Sequence, residues 1–260
     1  AQHIELGYLW CQQLEHVGRR CSRSVLRGLG GPRQSAPFDV EAVHALGLGV
    51  APLLPSGPAC PGMALILMTF FLLREIEASL ALAAHVRIDR AARIVHWLLP
   101  VSKTDAAAVG CTRSWGCLCE VAGGPCPYCA AIFIMDWLLA QFGIEGELPS
   151  GLPFLPTSCG TTVLKENVVL SIEAVASRLG EPLMDANGVR RFGGHSPRVS
   201  GAQYLGGLGL ELWKLGLLAR WASDALLRYA GEAPLRAITG DARRLRALRD
   251  ASPIAPPTAT

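Results

Sequence analysis

The stretch His195-Ser196-Pro197-Arg198 places an imidazole and a guanidinium on the opening turn of a predicted helix. Ser196 is a good helix N-cap, Pro197 suits the first helical position, and Arg198 then falls in the first turn. That end of a helix attracts anions through its free N–H groups and the helix macrodipole. The pattern therefore predicts an anion site, with an imidazole and a guanidinium, built on the start of a helix.

A second stretch, from Arg220 to Tyr229, adds an indole and a phenolic hydroxyl. It contains Trp221, a predicted cap at Ser223, a short helical turn and then Tyr229. Attack on a phosphodiester needs a hydroxyl nucleophile and cationic donors that hold the phosphate oxygens. The two stretches together supply both, so they indicate phosphoryl transfer on a phosphodiester.

This order of residues resembles the tyrosine recombinases, the phage-integrase family of enzymes that cut and rejoin DNA. In that family a histidine-x-x-arginine box precedes a histidine or tryptophan, and the nucleophilic tyrosine follows shortly after. Here the box is His195 to Arg198, Trp221 takes the next position, and Tyr229 follows eight residues later, a shorter gap than the family's usual one. Trp221 is neither acid nor base, but it can donate its indole N–H to a phosphate oxygen.

The resemblance implies two further residues upstream, an arginine at a helix end and a lysine on a β-hairpin. Arg74 follows a long apolar run, and Glu77 supplies the acidic residue that the family places three positions later. Lys103 follows two predicted strands in the setting Ser-Lys-Thr. Taken alone, Arg74 also fits a helix-terminal charge that reaches solvent, and a lone exposed lysine has no special meaning.

The resemblance also implies a role for each residue. Tyr229 attacks the scissile phosphate to form a 3′-phosphotyrosine, and Arg74 and Arg198 neutralise the non-bridging oxygens. His195 bonds the phosphate or takes the tyrosine proton, and Lys103 protonates the departing 5′ oxygen. No cofactor takes part in this chemistry. The expected catalytic residues are Arg74, Lys103, His195, Arg198, Trp221 and Tyr229.

Four cysteines with the spacing Cys-x-Cys-x₆-Cys-x₂-Cys predict a structural zinc site: Cys117, Cys119, Cys126 and Cys129. Two thiolate pairs across a Gly-Pro turn can close a tetrahedral Zn²⁺ site, and four protein ligands leave no open position for water. The alternatives are free thiols or one disulfide. Because ordinary phage integrases do not need such a module, residues 111–129 are interpreted as a lineage-specific insertion.

Composition places broad limits on the protein. The chain has 260 residues, is 50% hydrophobic and 17% charged, and carries a net charge of +3, which permits nucleic-acid binding without indicating it. The apolar run 63–73 is too short for a bilayer, which needs roughly 20 residues, so no membrane association is expected. Nine cysteines without a signal peptide predict an intracellular, reducing location, with DNA and in the nucleus if the source is eukaryotic. The start at Ala1 reads as a truncated N-terminus.

Hydrophobic periodicity predicts a mostly α protein with a small antiparallel sheet, an α+β fold. The resemblance implies that this is the tyrosine-recombinase catalytic fold, over 35–236, preceded over 1–34 by the last helix of a truncated DNA-clamping domain plus a linker. We expect a basic helix with a disordered tail over 237–260. Predicted helices cover residues 1–27, 39–49, 63–80, 130–142, 161–179, 196–208 and 210–220, and predicted strands cover 84–89 and 94–101.

The resulting prediction is a site-specific recombinase that acts on double-stranded DNA as a homo-oligomer, a tetramer. Two alternatives stay open. One is a topoisomerase-like enzyme that relaxes DNA, and the other is an inactive DNA-binding remnant of a mobile element whose cysteine loop holds a partner. If Tyr229 is not the nucleophile, Tyr204 is the next candidate.

Overall fold

The computed structural model describes residues 15, 17–18, 35–99, 110–119, 123–208, 210–220 and 238–251, with Leu212 and residues 249–251 described by backbone only. The chain divides into two compact units, Ala1–Gln34 and Ser35–Thr260. In the first unit only Glu15, Val17 and Gly18 are described, all three helical, so most of the helix predicted over 1–27 lies outside the described residues.

The second unit combines helices with one small sheet, which confirms the predicted α+β class. Its described helices are α1 (Val40–Ala45), α2 (Pro61–Phe70), α3 (Glu75–Ser79), α4 (Pro127–Phe142), α5 (Lys165–Arg178), α6 (Ser196–Gly207), α7 (Leu212–Ala219) and α8 (Ile238–Ala251). Its strands are β1 (Val86–Asp89), β2 (Ile94–Leu99) and β3 (Cys111–Gly116). No helix within the described ranges is both long and apolar enough to cross a membrane.

The sheet is antiparallel in the order β1-β2-β3, with Val86 opposite Trp97 and Val95 opposite Trp115. Val95, Trp97 and Trp115 are fully buried on one face, where the Trp115 indole N–H donates to the Phe70 carbonyl at 3.0 Å. This bond ties the sheet to the C-terminal end of α2.

The segment predicted to be a Cys-rich insertion, residues 111–129, begins with a strand that the sequence analysis did not predict. Residues 111–116 form β3 and complete the sheet, and the four predicted zinc ligands follow it. The sequence Cys-Thr-Arg-Ser-Trp-Gly contains β-favouring residues, but its burial alternates around a buried arginine, Arg113. Because Arg113 occupies an inward-facing position, hydrophobic periodicity does not predict the strand.

The helix predicted over 63–80 is two helices, α2 and α3, separated at 71–74. Leu72 adopts a left-handed conformation with φ of 50°, which costs a non-glycine residue roughly 1–2 kcal/mol and which apolar periodicity does not reveal. Arg74 is therefore the N-cap of α3 and does not lie near the end of one long helix. The break directs the Leu72 carbonyl toward α6.

Helix α6 lies directly against the end of α2 because Gly201 has no side chain. A Cβ at Gly201 would lie 2.2 Å from the Thr69 carbonyl oxygen and 2.5 Å from a methyl group of Leu72. Both distances are far below van der Waals contact, so the approach is possible only for glycine. One turn earlier in α6, this close packing brings Arg198 to Leu72.

Candidate active site

The start of α6 differs by one residue from the prediction. His195 is the N-cap and is exposed, while Ser196 is the first helical residue and is fully buried. The Ser196 hydroxyl accepts a hydrogen bond from the Gly193 N–H at 3.1 Å and so holds the preceding loop instead of capping the helix. The imidazole consequently stands at the solvent side of the helix start, and the residues after it turn inward.

Arg198 is buried and held at two points. Its Nε–H donates to the Leu72 carbonyl at 2.7 Å, and a terminal N–H donates to Glu77 Oε2 at 3.2 Å. Burial lowers the pKa of the Arg198 guanidinium to about 10; Glu77 raises this pKa, and the charges of Arg74 and Arg220 lower it. Arg198 therefore stays charged at neutral pH, in a fixed orientation and away from bulk water.

Glu77 joins three arginines. Besides accepting from Arg198, its Oε2 accepts from the backbone N–H of Arg74 at 2.8 Å. Its Oε1 lies 2.8 Å from a terminal nitrogen of Arg220. The Glu77 side chain is only 8% exposed, so this carboxylate is the buried centre of what we call the arginine cluster: Arg74, Arg198 and Arg220 around Glu77.

Other charged side chains surround the Arg198 guanidinium. Arg74 and Arg220 lower its pKa and Glu77 and Glu75 raise it, so all four are its electrostatic neighbours. Arg74 is half-buried, and its Nε–H has no hydrogen-bond partner among the described residues. An unused guanidinium donor beside other arginines suits an anion with several oxygens, such as a phosphate.

The structure brings together part of the predicted set. Arg74 and Arg198 both contact Glu77 and lie on the same face of the domain, and His195 begins the helix that carries Arg198. Gly194, next to His195, lies against the Glu75 carboxylate, where a Cβ would come within 2.0 Å of Oε2. Lys103, Trp221 and Tyr229 lie outside the described residues.

Sequence reasoning missed Arg220. It closes α7 in a left-handed conformation, with φ of 57°, and its side chain is 9% exposed against Glu77. The residue precedes Trp221 directly, so the segment that contains Trp221 and Tyr229 starts at the arginine cluster. The available signal was the position of Arg220 between an apolar helix and a tryptophan. The sequence does not reveal its partner, Glu77, which only the fold shows.

Tyr204 is fixed by hydrogen bonds on α6. Its hydroxyl donates to Glu41 Oε1 at 2.7 Å and accepts from a terminal N–H of Arg246 at 2.9 Å. Burial, with the Glu41 hydrogen bond next in size, raises the pKa of Tyr204 to about 12. A phenol that is bound on both sides and hard to ionise is a poor nucleophile, so the structure disfavours Tyr204 as the alternative to Tyr229.

The four predicted zinc ligands form what we call the cysteine cluster, away from the arginine cluster in sequence. The sulfurs of Cys117, Cys119, Cys126 and Cys129 all lie within 4.8 Å of one another. Cys117 follows β3, and Cys126 is the N-cap of α4. Cys117 and Cys126 are buried, whereas Cys119 and Cys129 are exposed.

No protein-family model and no curated protein matches the chain. Among solved structures, an integrase from mycobacterium phage Brujita is similar, with a TM-score of 0.46 and 17% sequence identity over 85% of this chain. The chain spans 62% of the length of that integrase. A TM-score of this size does not establish a shared fold, so the residues of the site themselves must support any function.

Proposed function

We propose that the chain is a site-specific DNA recombinase, which cuts and rejoins DNA through a 3′-phosphotyrosine without metal or ATP in the chemistry. The observation that supports this proposal is the arginine cluster at the start of α6. Arg198 and Arg220 are buried around one carboxylate, next to a half-buried Arg74 with an unused donor. Guanidiniums held this close together can donate to the oxygens of one phosphate.

The fixed geometry of Arg198 is what a phosphoryl-transfer site requires. Charge builds on the non-bridging oxygens as the nucleophile attacks, and donors that are already oriented stabilise it without reorganising. Arg198 is oriented by the Leu72 carbonyl and Glu77, and its surroundings exclude most water. His195 is exposed at the N-cap of the same helix, three residues before Arg198, and is accessible to a DNA phosphate.

The remaining steps follow from the resemblance of the sequence to tyrosine recombinases. The Tyr229 hydroxyl oxygen bonds to phosphorus, the bond from phosphorus to the 5′ oxygen breaks, and Lys103 gives that oxygen a proton. The tyrosine proton passes to His195, and Trp221 donates its indole N–H to the phosphate. Because the phosphotyrosine retains the energy of the cleaved bond, the free 5′-hydroxyl of a new partner can reverse the reaction.

The expected partner is double-stranded DNA, on which we propose that four copies assemble. Exchange between two duplexes requires four strands to be cut. With one active site in each copy, four copies supply one active site for each strand. The protein is then expected to act inside the cell, with DNA, in the nucleus if the source is eukaryotic. The net charge of +3 is compatible with phosphate contacts.

A nicked suicide DNA substrate tests the proposal, because loss of a short 5′ fragment traps the covalent intermediate. We expect the unaltered chain to form a protein–DNA band and Tyr229→Phe to lose it while DNA binding persists. Tyr204→Phe is the matched control and should keep the band. An adduct that survives in Tyr229→Phe would refute the assignment of the nucleophile.

Two further results distinguish the alternatives. Rejoining to a second duplex with a defined site supports a recombinase, whereas relaxation of supercoiled DNA without exchange supports a topoisomerase. Tight DNA binding with no adduct from any nicked substrate indicates a non-enzymatic remnant and would overturn the proposal.

A further inference from the structure

The cysteine cluster has the size of an occupied metal site. Four thiolates at about 2.3 Å from a tetrahedral Zn²⁺ lie about 3.8 Å from one another. Here the Cys119 and Cys129 sulfurs are 3.5 Å apart and those of Cys117 and Cys126 are 3.9 Å apart. A disulfide needs an S–S distance of about 2.0 Å, and all four thiols are free.

The groups around the sulfurs are hydrogen-bond donors and a positive charge. A terminal N–H of Arg93 donates to the Cys117 sulfur at 2.9 Å, and the Leu118 backbone N–H donates to the Cys126 sulfur at 3.3 Å. Cys126 and Cys129 lie on the first turn of α4, where the macrodipole favours negative charge. Neutral thiols need none of these contacts, whereas four thiolates around Zn²⁺ leave a net charge of −2 that they would stabilise.

Helix α8 packs through one face against both parts of the cysteine cluster. One part follows β3 and contains Cys117 and Cys119, and the other begins α4 and contains Cys126 and Cys129. Thr239 Oγ1 accepts from the Gly116 N–H at 2.8 Å, and Arg243 Nε–H donates to the Cys117 carbonyl at 2.5 Å. A terminal N–H of Arg246 donates to the Pro125 carbonyl at 2.7 Å, beside Cys126. The three residues are spaced four and three positions apart, so they share one side of the helix.

Arg246 makes this contact costly to lose. Its side chain is fully buried, and its Nε and one terminal nitrogen have no hydrogen-bond partner within the described ranges. Its other described bond goes to the Tyr204 hydroxyl, which leads on to Glu41. A buried guanidinium is stable only where its acceptors are fixed, so Arg246 depends on the position of the Pro125 carbonyl, next to Cys126.

We propose that Cys117, Cys119, Cys126 and Cys129 bind one structural zinc ion, and that this ion fixes the surface on which α8 docks. Without the metal, no coordinate bond holds the pair Cys117 and Cys119 to the pair Cys126 and Cys129, so the carbonyls of Cys117 and Pro125 are free to move relative to each other. The zinc site itself does not depend on the proposed recombination.

Metal analysis of the reduced, full chain is the first test, and we expect about one zinc per chain. Cys129→Ser should lose it, and Cys159→Ser is the matched control, because Cys159 is exposed and outside the cluster. If Cys129→Ser fails to fold, Co²⁺ exchanged into the unaltered chain should give the d–d absorption of a tetrahedral thiolate site. Reduced protein without stoichiometric zinc, and without that cobalt spectrum, would overturn the site.

Hydrogen exchange tests the link to α8. After zinc is removed by a chelator under reducing conditions, we expect amides of Ile238–Ala251 to exchange at least about tenfold faster, while those of Lys165–Arg178 stay unchanged. Re-addition of zinc should restore protection. Loss of zinc without faster amide exchange in α8 would overturn the docking role. The DNA-adduct assay tests recombination separately.

Discussion

The arginine cluster and the cysteine cluster differ in how far apart their residues lie in the sequence. The first gathers positive charge from Arg74 and Arg220, 146 positions apart, and the second gathers four sulfurs from 13 consecutive residues. The arginine cluster depends on packing between distant helices, including the contact at Gly201. The cysteine cluster depends only on residues that follow β3 and begin α4. A local cluster can therefore be predicted from spacing, whereas a long-range one must be deduced from order and confirmed by the fold.

The largest expected effect is at Glu77, the negative centre of the arginine cluster. Glu77→Gln removes the carboxylate charge that Arg198 and Arg220 contact, and removal of one partner of a buried pair costs about 3–5 kcal/mol of unfolding free energy. Denaturant unfolding measures this. Sulfate should restore more stability to the variant than to the unaltered chain, with sodium chloride at equal ionic strength as control. Equal sulfate gains in both would argue against anion binding at the cluster.

Arg198→Lys comes next. Lysine keeps the charge but loses the fork that contacts Leu72 and Glu77 together, so covalent adduct formation should fall about 10²–10³-fold. The matched control is Arg178→Lys, at an exposed position near the end of α5, which should leave the rate unchanged. Zinc content should stay the same in both variants. An active Arg198→Lys would remove Arg198 from the chemistry.

Gly201→Ala tests the long-range packing itself. The added methyl group meets the Thr69 carbonyl and Leu72, so α6 must move and the stability should fall by about 1–3 kcal/mol. Gly207→Ala, in the same helix with nothing within 4 Å of the added atom, should not destabilise the protein. The adduct rate should fall in the first variant and zinc should remain bound in both. Loss of zinc from Gly201→Ala would show that the two clusters are not independent.

The smallest effect is expected at Arg93, which donates to the Cys117 sulfur. Arg93→Met removes one outer donor and one positive charge, so zinc affinity should weaken about tenfold, as measured by competition with a chromogenic chelator. Arg90→Met, three positions earlier in the same turn, removes an exposed ion pair with Asp136 and serves as control. An unchanged zinc affinity in Arg93→Met would mean that the sulfur receives no useful stabilisation from Arg93.

Element types followed from the sequence, but several boundaries did not. Apolar stripes and helix-cap residues predicted the helices now described as α1, α4, α5, α6 and α7, and alternation with β-branched and aromatic residues over 84–101 predicted β1 and β2. The break at Leu72 and the strand β3 were missed. A left-handed leucine and an inward-facing Arg113 are both stabilised by tertiary contacts, to Arg198 in one case and to the Leu217 carbonyl in the other. Local propensity cannot anticipate such contacts.

The sequence by itself determined which groups are available: the arginine and histidine at the start of α6, the four closely spaced cysteines, and an order of residues that resembles tyrosine recombinases. Only the tertiary structure decided that Arg74, Arg198 and Arg220 share Glu77, that Tyr204 is bound on both sides, and that α8 lies on the cysteine cluster. The physical reason is the separation in sequence over which each kind of interaction acts. Helix caps and metal-ligand spacing act within a few residues, whereas buried charges choose their partners across the whole fold, according to which surfaces pack together.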